Sequence, residues 1–135
     1  MATINEVRDA LALLLKTGLE MEYAFGRVPS PIQPLTVFVI PTPGADYVTF
    51  DDGTFCRPMW RLSAVIVGPT SNYDRAAAWL DAAIILAPAV TDTDPTLAGR
   101  ISNLMLAAVT EPGMLETSAG PFLAAELRLH PFFIA

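Results

Sequence analysis

The sequence holds one cysteine and one histidine in 135 residues, and only eight lysines and arginines. A single cysteine excludes a disulfide within the chain and a zinc site built on several cysteines. A single histidine leaves Cys56, or any serine, one imidazole to serve as its base, His130. Cys56 lacks the local signature of papain-like proteases, no G-x-S-x-G elbow occurs, and no G-x-x-x-x-G-K-[ST] phosphate loop occurs. Asp51–Asp52 and Asp92/Asp94 carry oxygen ligands, but neither pair lies in an EF-hand pattern, and both suit a turn or a helix cap. Glu20 and Glu22 fall on one side of an alternating stretch, which suits solvent or a lumen better than an acid–base pocket. The residues therefore assign no catalytic group, no cofactor and no metal.

Charge is also scarce. Charged residues make up 16% of the chain, against roughly 25% in ordinary soluble domains. Hydrophobic residues reach 53% and the net charge is −6. No run of Lys or Arg offers a grip on a phosphate backbone. A chain of this length forms a single domain, residues 1–135, with a large surface relative to its volume. With so few charges, much of that surface must be apolar or neutral, which points to a subunit of an assembly. The opening MATINEVRDALALLLKTG puts Glu6 and Asp9 ahead of a short apolar stretch, unlike a secretory leader. AAAWLDAAIILAPAV is interrupted by Asp81 and Pro88 and reads as too short to span a bilayer. The sequence thus predicts a soluble protein with no membrane partner.

What is present is patterned. Thr3 and Glu6 form a capping box before Ile4, Val7, Leu11, Leu14 and Leu15. That spacing predicts an amphipathic helix ending near Gly18, with Arg8, Asp9, Ala12 and Lys16 towards the other side. EMEYAFG alternates and predicts a strand with Met21, Tyr23 and Phe25 inward. Pro29, Pro31 and Pro34 stiffen the next connection, and Leu35 to Ile40 reads as a strand. DYVTFDDGTF predicts a hairpin turning at Asp51-Asp52-Gly53. Its second arm runs through FCRPMWRLSAVIVG. Trp60, Leu62, Ala64 and Ile66 share one face there; Arg61, Ser63, Val65 and Val67 share the other. The far end is apolar on both faces, so both need cover. Ser71 with Asp74 caps a nearly apolar helix from Asn72 to about Leu86. Asp94-Pro95 starts a short third helix to about Ser102. Leu104 to Thr110 reads as a strand. Met114 to Thr117 and Phe122 to His130 pair across Ser118-Ala119-Gly120. The fold class is α+β, a mostly antiparallel sheet with two main helices packed against it.

The order of these pieces, VRDALALLLKTG, VPSPIQPLTVFVIP, YVTFDDGT with WRLSAVIVG, SNYDRAAAWLDAAI and DPTLAGRISNL, resembles the tail terminator (tail completion) proteins of long-tailed bacteriophages, in particular the short minor tail proteins of actinobacterial phages. The resemblance covers roughly residues 4 to 131; the Cys56-Arg57-Pro58 start and the PFFIA tail lie outside its pattern. It implies a tail-terminator-like fold and a structural virion protein, not an enzyme. Such a protein is assembled in the host cytoplasm and forms a homo-oligomeric ring, typically a hexamer, at the head-proximal end of the tail tube. There it stops tube polymerisation and joins the tail to the neck. Its partners would be itself, the tail tube protein and neck or head–tail connector proteins, with DNA only passing through the lumen. An acidic chain suits such a lumen by like-charge repulsion. The interface residues expected are Tyr47, Phe50, Asp51, Asp52, Arg61, Val65, Val67, Phe132 and Phe133. Two other readings stay open: another neck or connector subunit, and a cytoplasmic α+β enzyme or ligand-binding domain.

Overall fold

The computed structural model describes residues 3–50 and 58–132. The expected Asp51-Asp52-Gly53 turn, Cys56 and Phe133 lie outside the described residues. The fold is α+β, with two helices on one face of an eight-stranded sheet.

Helix α1 (Ile4–Gly18) starts as the sequence predicts, with the Thr3 hydroxyl accepting from the Glu6 amide at 3.2 Å. Val7, Leu11 and Leu15 recur every four residues and are fully buried. Arg8 and Ala12, expected on the outer side, are buried too. The buried stripe is wider because α1 contacts the sheet on one flank and α2 on the other.

Helix α2 (Tyr73–Thr93) is capped by Asn72 rather than Ser71, its Oδ1 accepting from the Arg75 amide at 3.1 Å. It also runs past the expected end at Leu86, through Pro88. An interior proline costs a helix roughly 3 kcal/mol. Burial of Ala87 beside Pro88, and of Val90 and Thr91 beyond it, offsets that cost. The third helix is absent: residues 95–100 form turns, with Leu97, Ala98 and Gly99 in the left-handed region at φ 50°, 57° and 84°. Consecutive left-handed residues cannot continue a right-handed helix. Leu97 tolerates the strain because its side chain is buried in the core.

The strands are β1 (Tyr23–Phe25), β2 (Thr36–Pro41), β3 (Val48–Phe50), β4 (Pro58–Trp60), β5 (Leu62–Val67), β6 (Asn103–Val109), β7 (Gly113–Thr117) and β8 (Gly120–Phe132). β8, 13 residues long, is the spine. β5 and β4 pair along one of its edges, and β6 and β7 along the other. β2 and then β1 extend the β5 side, with β1–β2 the only parallel pair among the described strands. β3 and β4 pair antiparallel, as the predicted hairpin requires. β7 and β8 meet across Ser118-Ala119.

Alternation sorts the sheet into two faces. Val37, Val39, Leu62, Ala64, Ile66, Leu127 and Leu129 join the main core under the helices. The opposite face is closed at one end by a smaller cluster of Phe38, Val67, Phe122 and Ala124, against which Ile32 and Leu115 pack. Ile32 comes from the proline-rich connection, pinned where its carbonyl accepts from the Ser118 amide at 2.7 Å. The chain therefore covers Val67 itself. Tyr23 and Phe25, expected to point inward, are exposed on the short edge strand β1.

Gly18 sits where the end of α1 meets Val90 of α2, and a β-carbon there would collide with both Val90 methyls. Valine is stiff at χ1 in a helix, so it cannot swing clear. Gly18→Ala is expected to lower stability by about 1–2 kcal/mol. Val90→Ala should cost less in that background than in the wild type. Additive losses in a denaturation-based double-mutant cycle would contradict the contact.

Candidate interaction surfaces

The end of the second sheet face left open by the small cluster is where polar side chains collect. The β5–β8 register sets Leu62 against Leu129, which brings Arg61 beside His130, and β6 puts Met105 opposite the same histidine. One row away, Arg128 stands between Ser63 of β5 and Ala108 of β6. Val65 faces Phe38 on one side and Glu126 on the other. Met59 pairs with Phe132 at the end of β8. The open face therefore reads Val65–Glu126, Ser63–Arg128, Arg61–His130–Met105 and Met59–Phe132.

Its electrostatics are uneven. Glu126 is taken by Arg128, at 3.0 Å between Oε2 and Nε. Arg61 has no carboxylate among the described residues, and its Nε is buried without an acceptor. Burial, and then the neighbouring Arg61 charge, both lower the His130 pKa from its ordinary value and favour the neutral ring. Its Nδ1 is likewise buried without a partner. Ser63 is buried but satisfied, its hydroxyl 3.0 Å from that of Thr42. Among the described residues, two arginines and one carboxylate thus give this face a positive balance on an acidic molecule.

Of the residues expected at an interface, the structure brings Arg61, Val65 and Phe132 onto this one face, each half-buried. Tyr47 and Phe50 lie apart, around the β3–β4 hairpin, and both are exposed. Tyr47 stands edge-on to Trp60, with ring centres 4.8 Å apart. Val67 is a correction: at 0% exposure it is spent on the chain's own second cluster and offers no surface to a neighbour. Asp51, Asp52 and Phe133 lie outside the described residues.

Sequence reasoning missed Arg128, Glu126 and Met105 as members of this face. The alternation of Glu126, Arg128 and His130 was visible; their register against Arg61 was not. The near absence of charge along α2 marks it for cover on more than one side, and its outer side is uncovered in the single chain, where Ile85 is 78% and Leu86 52% exposed. At 21 residues α2 is long and apolar enough to cross a bilayer, contrary to the shorter segment expected. Its inner side, with Ala76, Leu80 and Ala83, is committed to the core.

The depressions on the surface are shallow. One lies between α1 and the 94–100 turn, lined by Leu13, Leu14, Glu6, Asp9 and Asp94 among others. Among the described residues, no group of three or more His, Cys, Asp or Glu side chains is placed to hold a metal ion. No protein-family model and no curated protein sequence matches the chain.

Proposed function

We propose that this protein is a structural subunit of a phage virion, forming a ring, hexameric by resemblance, that caps the head-proximal end of the tail tube, ends its polymerisation and joins it to the neck. The observation that carries the reading is the placement of exposed apolar side chains on both outer faces of a two-layer domain. Ile85 and Leu86 stand on the helix layer, and Met105 stands on the sheet layer. A monomer gains nothing from such faces, whereas a ring buries two different surfaces per subunit. The net charge of −6 and the absence of basic runs suit a lumen through which DNA moves without sticking. The order of sequence pieces supports a terminator in particular.

The test is the tail phenotype in the absence of the protein. Particles made without it are expected to carry tail tubes longer than wild type and unjoined to heads, measured by negative-stain electron microscopy. Tubes of normal length that merely fail to join would instead favour a neck subunit, which shares the ring architecture.

A further inference from the structure

The helix layer and the sheet layer differ in charge as well as in shape. Asp74, Asp81 and Asp92 are spaced by seven and eleven residues, which returns them to one stripe of α2 at 3.6 residues per turn. Ala78, Ile85 and Ala89 fall on the same stripe, and all six are exposed. The buried side chains Leu80, Ala83 and Ala87 point the opposite way, into the core. This outer stripe is therefore a low apolar ridge carrying three carboxylates. The open sheet face is apolar at Val65, Met105 and Phe132 and carries Arg61 and Arg128, with Glu126 its one carboxylate among the described residues; at the β6 edge Met105 and Phe132 share a depression with Asp92 at the end of α2, a depression that Val65 and the two arginines do not line.

We infer that neighbouring copies associate head to tail, the outer stripe of α2 from one copy seated on the open sheet face of the next. The inference rests on the ring reading and specifies its lateral contact. The occupant is a second copy because this chain itself presents both complementary halves: carboxylates among small apolar side chains on one face, arginines among apolar side chains on the other. Small residues at Ala78, Ala82 and Ala89 let the helix approach the strands closely. Arg61, which has no carboxylate partner among the described residues, gains one from the neighbour. Two different patches on opposite faces cannot form a two-fold dimer by pairing with each other. They propagate, and the rotation between copies decides whether a ring closes.

The experiment uses the full chain with Cys56→Ser, Ile85→Cys and Met105→Cys, treated in concentrated solution with a short bismaleimide. Both new cysteines replace exposed side chains, and circular dichroism checks the fold. The expected result is a ladder of covalent multimers ending at the ring number. Each single-cysteine variant alone should give no dimer, while a mixture of the two should give one. Adding Arg128→Glu should lower the ladder yield about tenfold. No ladder, a dimer from either single variant, or a yield insensitive to Arg128→Glu would overturn the contact. The ring reading fails separately: a ladder without an end point supports the contact but removes closure, and a closed ring by native mass spectrometry without a ladder keeps the ring and moves its interface elsewhere.

Discussion

Val67→Asp is expected to unfold the protein, whereas Val65→Asp, two residues away on the same strand face, is expected to leave it folded and unable to assemble. Val67 is wholly buried and pairs with Ala124 under Phe38 and Phe122. Among the described residues, the side chains of the cluster around it are apolar and offer a carboxylate no cation. Such a carboxylate would be forced into its neutral form and would still displace packed methyl groups. The expected loss is about 4 kcal/mol or more, most of the stability of a small domain. Val65 is half-buried and faces Glu126 across the β5–β8 pair. An aspartate there meets one like charge at the edge of solvent, which costs about 1 kcal/mol. It also places a negative charge on the face proposed to receive the α2 carboxylates. Urea denaturation should separate the two variants, and native mass spectrometry should find folded but unassembled Val65→Asp. If both variants unfold, or if both assemble at wild-type levels, the division of this strand face into a closed end and an open end is wrong.

Arg8→Ala is expected to cost about 3–5 kcal/mol, although nothing in the sequence marks Arg8 as structural. Its Nε donates to the Gly26 carbonyl and one terminal nitrogen donates to the Val39 carbonyl, both at 2.8 Å. Val39 lies beyond the last β1–β2 pair, Phe25 with Phe38, so the outer edge of β2 has no strand there to supply a donor. Arg8 takes the place of the missing strand and ties α1 to this edge. Hydrogen bonds from a charged donor contribute roughly 1.5–3 kcal/mol each, and an abandoned buried carbonyl adds its own desolvation cost. Arg8→Met keeps most of the side-chain packing but not the donors, so it should recover only a small part of the loss. Recovery to near wild-type stability by Arg8→Met, read from denaturant midpoints, would show that packing and not hydrogen bonding carries the effect.

The parts of this fold legible in the sequence are those set by local chemistry. The Thr3 cap, the four-residue spacing of Val7, Leu11 and Leu15, and the alternation along β5 and β8 each state their own conformation. Legibility ends where distant elements decide. Whether α2 stops at Pro88 depends on the core available to Ala87 and Val90, not on the proline alone. Asp94-Pro95 looks like a helix start in isolation, yet burial of Leu97 selects a left-handed turn. Val65 and Val67 look equivalent along the strand; only the fold shows Val67 wholly buried within the small cluster, where Ile32 and Leu115 pack, and Val65 half-buried at its rim. The open face itself was half legible. Its arginine on β5 stood out, but its partners on β8 and β6 belong to it through strand register, which no single stretch encodes.

The central claim is a ring of this chain at the end of the tail tube. It is tested most directly by an electron cryo-microscopy map of the head–tail junction of virions that contain the protein. The account predicts a closed ring built of this chain, one layer thick, directly above the last ring of tube protein, with α2 of each copy against the sheet of the next. Density at that layer that fits a different chain, with this protein absent from the junction, would contradict it.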